Sequence, residues 1–139
     1  MDKSIDNALN WGIIGTGRIA DAFAQALNHT ESGYISGVAS RNQDSSNQFA
    51  HQNKIENSYT GYQQLIDDKK VEAIYIATPH PMHKEWAIKA AESGKHILCE
   101  KPMALNTDDT IEIIEAAESN DVFLMEAFMY RCHPQTTKL

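Results

Sequence analysis

The chain has 139 residues, enough for one domain around one hydrophobic core. Its 42% apolar and 22% charged content suits a globular protein, and its formal net charge of −7 argues against a nucleic-acid-binding surface. No apolar run has spanning length, and the start of the chain, with Asp2, Lys3 and Asp6, lacks the pattern of a secretory leader, so the expected setting is the cytoplasm, without a membrane partner and with Cys99 and Cys132 as reduced thiols.

Leu9–Ile14 reads as a first strand. It runs into Gly15-Thr16-Gly17-Arg18-Ile19-Ala20, a Gly-x-Gly-x-x-Ala turn. Ile19, Phe23, Ala26 and Leu27 then fall on one face of a helix ending near His29. Such a strand–turn–helix binds the pyrophosphate of a dinucleotide. Gly15 permits the tight turn, Gly17 lets the backbone approach the phosphates, and Ala20 allows close helix–strand packing. The unpartnered N–H groups of the helix start and its dipole favour the anion. Gly15, Thr16, Gly17, Arg18 and Ile19 are therefore candidate cofactor-binding residues.

Tyr34–Ala39 reads as a second strand and Ser45–Gln52 as a short helix. Ser40-Arg41 ends that strand, where an Asp or Glu would accept hydrogen bonds from the adenosine ribose and favour NAD. A guanidinium there can pair with a 2′-phosphate, so Ser40 and Arg41 point to NADP over NAD. Asn57–Thr60 reads as a brief third strand and Tyr62–Asp68 as a short helix. Ala73–Ala77 is a clear fourth strand. Met82, Trp86, Ala87, Ala90 and Ala91 line the next helix, which Gly94 closes.

His96–Cys99 reads as a fifth strand, ending in Glu100-Lys101-Pro102. Asn106 reads as an N-cap with Asp109 at the third helical position. The helix it opens is expected to carry Ile111, Ile114 and Ala117 inward. Val122–Met125 reads as a sixth strand. The strands are near-continuous apolar runs, as in a parallel sheet buried on both faces. The expected fold is a doubly wound α/β Rossmann sheet with strand order 3-2-1-4-5-6 and its ligand at the carboxyl ends of the strands. His80 and His83, with His96, Cys99 and Cys132, fit no metal-ligand spacing, so no metal site is expected.

Three stretches together resemble the Gfo/Idh/MocA oxidoreductases: Gly15–Ala20, Ala77-Thr78-Pro79-His80-Pro81-Met82-His83, and Gly94-Lys95-His96-Ile97-Leu98-Cys99-Glu100-Lys101-Pro102. Glu126-Ala127-Phe128-Met129-Tyr130-Arg131-Cys132-His133-Pro134 is most similar to the branch holding dimeric dihydrodiol dehydrogenases and sugar dehydrogenases. The resemblance implies that Lys101 lies beside the nicotinamide and holds the reacting hydroxyl, with Glu100 near the nicotinamide ribose. It implies that Thr78, Pro79 and His80 lie over the cofactor. For His83 it implies a contact near the nicotinamide ribose, against which stands a plain helix-start role.

Members of the family continue from a segment like Glu126–Pro134 into a second α+β domain. The resemblance thus implies a cofactor domain at 1–125, the start of the crossover at 126–139, and poor activity in isolation. It implies a small-molecule sugar, polyol or dihydrodiol substrate and a homo-oligomeric full-length protein. A non-catalytic NADP-binding sensor or regulatory module is the second reading.

Overall fold

A computed structural model describes residues 8–138. Its elements, in chain order, are β1 (Leu9–Ile14), α1 (Arg18–Leu27), β2 (Gly33–Ser40), α2 (Gln43–Asn53), β3 (Asn57–Thr60), α3 (Tyr62–Ile66), β4 (Ala73–Ile76), α4 (His83–Glu92), β5 (His96–Cys99), α5 (Thr107–Ser119) and β6 (Leu124–Glu126). Single 3-10 turns occupy His80–Met82, Met129–Cys132 and Thr136–Lys138. Every strand pairing is parallel, and the spatial order is β3-β2-β1-β4-β5-β6, as the sequence predicts. β1 is flanked by β2 and β4, so the order reverses beside it.

The central strands are largely covered on both faces, which is why they carry no polar alternation. Ala73, Ile74, Tyr75 and Ile76 are all buried. Side chains leave a strand on alternate faces. Ile13, Val38 and Tyr75 pack with Ala20 and Ala24 of α1 and Phe49 and Ala50 of α2. Ile14, Ile74 and Ile76 pack with Leu65 of α3, the alanines of α4 and Ile113 of α5.

Side-chain caps set two helix starts. Asn106 Oδ1 accepts the Asp109 N–H at 2.9 Å, the cap expected for α5. Asn42 Oδ1 accepts the Ser45 N–H at 3.1 Å, so α2 begins earlier than its apolar residues suggest. Gly94, with φ of +71°, follows α4 as expected.

Three expectations need correction. Ile111 and Ile114 of α5 do not face inward: they are 47% and 39% exposed, and the buried positions are Ile113 and Ala117. That face packs on α4, where Lys84 Nζ also reaches Asp109 and Glu112 at 2.7 and 2.8 Å. The sixth strand starts at Leu124, because the Val122 N–H still donates to Ala117 O and leaves the helix through Asp121 at φ +52°. In α1 the fully buried residues are Ala20 and Ala24. Ile19, Phe23 and Ala26 instead border an open apolar groove with Tyr75, Leu98 and Met125.

Candidate functional site

The first strand turns at Gly15 with φ of +107°. A Cβ built there would lie 2.7 Å from the Ala77 carbonyl oxygen, so both the dihedral and the close approach of the β4 exit demand glycine. The Gly15 N–H donates to Ala39 O at 3.0 Å, which ties the turn to β2. Gly17 is the N-cap of α1 and supplies no side-chain cap. A Cβ on Gly17 would meet nothing within 4 Å, so space opens in front of the helix start. Thr16 is half-buried, Gly17, Arg18 and Ile19 are exposed, and Ala20 is fully buried against the sheet. Uncapped N–H groups facing open space form a cradle that fits a pyrophosphate.

At the end of β2, Ser40 is buried and its Oγ accepts the Asn42 N–H at 3.3 Å. Arg41 is exposed, with its guanidinium at the Tyr62 hydroxyl. Burial raises the Tyr62 pKa, and the Arg41 charge and hydrogen bond act against that rise. The Arg41 cation is thus set at the same carboxyl edge of the sheet as the Gly15–Gly17 turn.

β4 exits through Thr78, Pro79 and His80. Thr78 is buried, and its Oγ1 has no hydrogen-bond partner among the described residues, while Pro79 and His80 are exposed. The rings of His80 and His83 meet edge-on at 5.6 Å. His83 opens α4 and is fully enclosed. Its Nε2 lies 2.8 Å from Thr78 O and its Nδ1 2.9 Å from Pro102 O. Both ring nitrogens therefore face main-chain carbonyls.

β5 exits through Glu100, Lys101 and Pro102, with a cis peptide between the last two. Glu100 is half-buried. Its Oε1 accepts the Tyr75 hydroxyl at 2.7 Å and its Oε2 the Lys101 N–H at 3.2 Å. Burial, then the hydrogen bond and charge of Glu100, push the Tyr75 phenol up, so it stays a donor. The Lys101 side chain is exposed to the same edge. Below it Cys99 is buried, and burial with the nearby carboxylates Glu126 and Glu100 pushes its thiol up to about 12. That thiol is inert at neutral pH. No group of three or more metal-ligating side chains forms among the described residues.

Two contributors escaped the sequence reading. Tyr75 holds Glu100, and Glu126, the last residue of β6, accepts the Met103 N–H at 2.8 Å through Oε1. The available signal was a carboxylate closing an apolar strand at the edge already marked by Glu100.

A parallel sheet with a glycine cradle beside its order reversal, and a cation at the end of the next strand, defines a dinucleotide-binding Rossmann domain. The chain belongs to the Gfo/Idh/MocA oxidoreductases: residues 9–128 match the family described as oxidoreductase family, NAD-binding Rossmann fold. It is 37% identical over 129 residues to a trans-1,2-dihydrobenzene-1,2-diol dehydrogenase of Xenopus laevis, covering 91% of this chain and 39% of that protein. It is 38% identical over 119 residues to an NADP(+) scyllo-inositol 2-dehydrogenase of Bacillus subtilis, covering 86% and 36%. A 3-ketoreductase from Actinomadura kijaniata, solved with NADP and TDP-benzene, superposes with a TM-score of 0.90 at 30% identity, covering 95% of this chain and 41% of that one. The chain thus spans about two fifths of the length of these relatives. No described helix is long and apolar enough to cross a membrane.

Proposed function

We propose that this chain is the cofactor-binding domain of an NADP-dependent cytoplasmic oxidoreductase acting on a secondary alcohol, or the matching ketone, of a sugar, polyol or dihydrodiol. The observation that carries the reading is one shared edge. The Gly15–Gly17 cradle, the Arg41 cation and the Glu100-Lys101 pair all sit at the carboxyl ends of strands of one parallel sheet, β1, β2 and β5. Thr16, Gly17, Arg18 and Ile19 receive the pyrophosphate on main-chain N–H groups, in the turn that Gly15 shapes. Ser40 and Arg41 take the adenosine 2′-phosphate, and Thr78, Pro79 and His80 border the cofactor between its halves. The family's nicotinamide supplies hydride exchange with a carbon centre. Lys101 donates a hydrogen bond to the substrate oxygen and stabilises the charge that develops there. Glu100 braces the nicotinamide ribose. Residues 1–125 form this domain and 126–139 lead toward the substrate-binding part of a longer, homo-oligomeric protein.

The relatives' names support NADP and small hydroxylated substrates. The test is a titration of the chain with NADP and NAD over a range of salt. NADP binds more tightly, and the advantage shrinks with added salt and in Arg41→Ala, because it rests on charge pairing at an exposed site. Equal affinities at low salt would remove the NADP assignment. Binding without any turnover, even in the longer protein, would favour a sensor over an enzyme.

A further inference from the structure

Three consecutive residues of the turn after β5 each meet a different side chain through a main-chain atom. Glu100 Oε2 accepts the Lys101 N–H at 3.2 Å. Pro102 has no N–H to offer, and its carbonyl faces His83 Nδ1 at 2.9 Å. Glu126 Oε1 accepts the Met103 N–H at 2.8 Å. The holders come from the end of β5, the start of α4 and the end of β6. Two of them, Glu100 and His83, are anchored away from the turn as well. Glu100 is fixed by the Tyr75 hydroxyl at 2.7 Å. His83 has no exposed surface, and its other nitrogen lies 2.8 Å from Thr78 O. A neutral imidazole carries one N–H, and in either tautomer it donates to one of these two carbonyls. The ring therefore sits between the β4 exit and the Lys101 turn and donates to one of the two.

We propose that His83 and Glu126 are positioning residues for Lys101. The inference rests on the cofactor reading above and assigns the residues that make its nicotinamide end work. Lys101 is a long, flexible side chain on the surface, and only its backbone can be held firmly. Removing one grip lets the Cα of Lys101 shift. Positioning errors of about 1 Å are costly in a site that must hold reacting atoms at near-attack distance. His83 thereby reaches the cofactor through the turn it holds rather than by its own contact.

The test compares two ligands on the 139-residue chain: NADP, and 2′,5′-ADP, which lacks the nicotinamide half. The variants are Glu126→Asp, Glu126→Gln and His83→Leu. Asp is one methylene too short for Met103, whereas Gln keeps the accepting oxygen in place. NADP affinity is expected to fall about tenfold in Glu126→Asp and His83→Leu, the loss of one hydrogen bond to a charged or buried partner. Affinity for 2′,5′-ADP stays at the wild-type value, and Glu126→Gln binds NADP within about twofold of wild type, since its hydrogen bond survives. Acylation of the Lys101 amine gives a second readout. Saturating NADP shields Lys101 in wild type and Glu126→Gln and fails to do so in Glu126→Asp. If His83→Leu does not fold, the Asp and Gln pair carries the test alone. Equal weakening of both ligands in Glu126→Asp, or wild-type binding and shielding in that variant, overturns the proposal. Wild-type protein that binds neither NADP nor NAD overturns the cofactor reading itself, and that outcome is recognised without any variant.

Discussion

At the scale of single residues, Gly15 is the position least able to accept a side chain. Its φ of +107° and the 2.7 Å approach of Ala77 O would both oppose an added methyl. Gly15→Ala should cost about 1–3 kcal/mol in backbone strain alone, read as a lower denaturant midpoint, and should weaken dinucleotide binding in the same protein. Gly17→Ala meets open space, so its midpoint should hardly move while the ligand's room shrinks. Cys99 gives a pH-dependent prediction. Burial, with Glu126 and Glu100, holds its thiol protonated in the fold up to about 12, against an ordinary value of 9.0. Between those values the unfolded chain binds fewer protons than the native one, so stability falls as pH rises. Below about pH 9 the contribution is fully present. Chemical denaturation between pH 8 and 11 should show a shallower decline in Cys99→Ala than in wild type, whatever the offset at neutral pH; parallel curves would contradict it.

At the scale of elements, α5 separates what was legible from what was not. Asn106 and the helix it opens are local features, readable because an N-cap needs only its own first turn. The buried face was not readable. Ile111, Ile113 and Ile114 crowd four positions, so two overlapping stripes are available, and only the docking of α5 on α4 selects the one through Ile113 and Ala117. Denaturation should report this choice. Ile113→Ala should cost about 2–4 kcal/mol by opening a buried cavity, while Ile111→Ala and Ile114→Ala should each cost about 0.5 kcal/mol or less. The strand order was legible because apolar runs and crossover rules leave few alternatives. The glycine cradle was legible because its chemistry lies within six consecutive residues. The grip on Lys101 was not. His83, Pro102 and Glu126 are far apart in sequence and meet only once the sheet is assembled.

At the scale of the whole molecule, the two faces of the sheet are unequally covered. Over β4, β5 and β6, on the α1 side, a groove lined by Phe23, Tyr75, Leu98, Met125 and Phe128 stays open. Met129, which lines it, and the adjoining Tyr130 are 73% and 60% exposed. Contiguous apolar surface of this kind favours self-association. Sedimentation velocity should show a concentration-dependent increase in mass, reduced by Phe128→Ser; a strict monomer at high concentration would contradict this. The same openness bears on chemistry. On the proposed function Lys101 would hold a substrate from one side only, and a site that is not closed leaves water at the reacting centre. Purified chain with NADP and a panel of polyols, sugars and dihydrodiols should therefore turn over poorly. Robust turnover abolished by Lys101→Ala would show that this domain holds a complete active site.

The placement of β1 between β2 and β4 also dictates the order of assembly during synthesis. Emerging first, Leu9–Ile14 can pair with Gly33–Ser40 soon afterwards, yet its other edge waits until Ala73–Ile76 has been made. Until then the nascent chain presents an unpaired, apolar edge of the kind that invites wrong partners. Asn10 belongs to that late closure, since its main-chain N–H and its amide reach Glu72 and Lys70. A translational pause before residue 73 should lengthen the interval in which chaperones are required, whereas one after β4 should not.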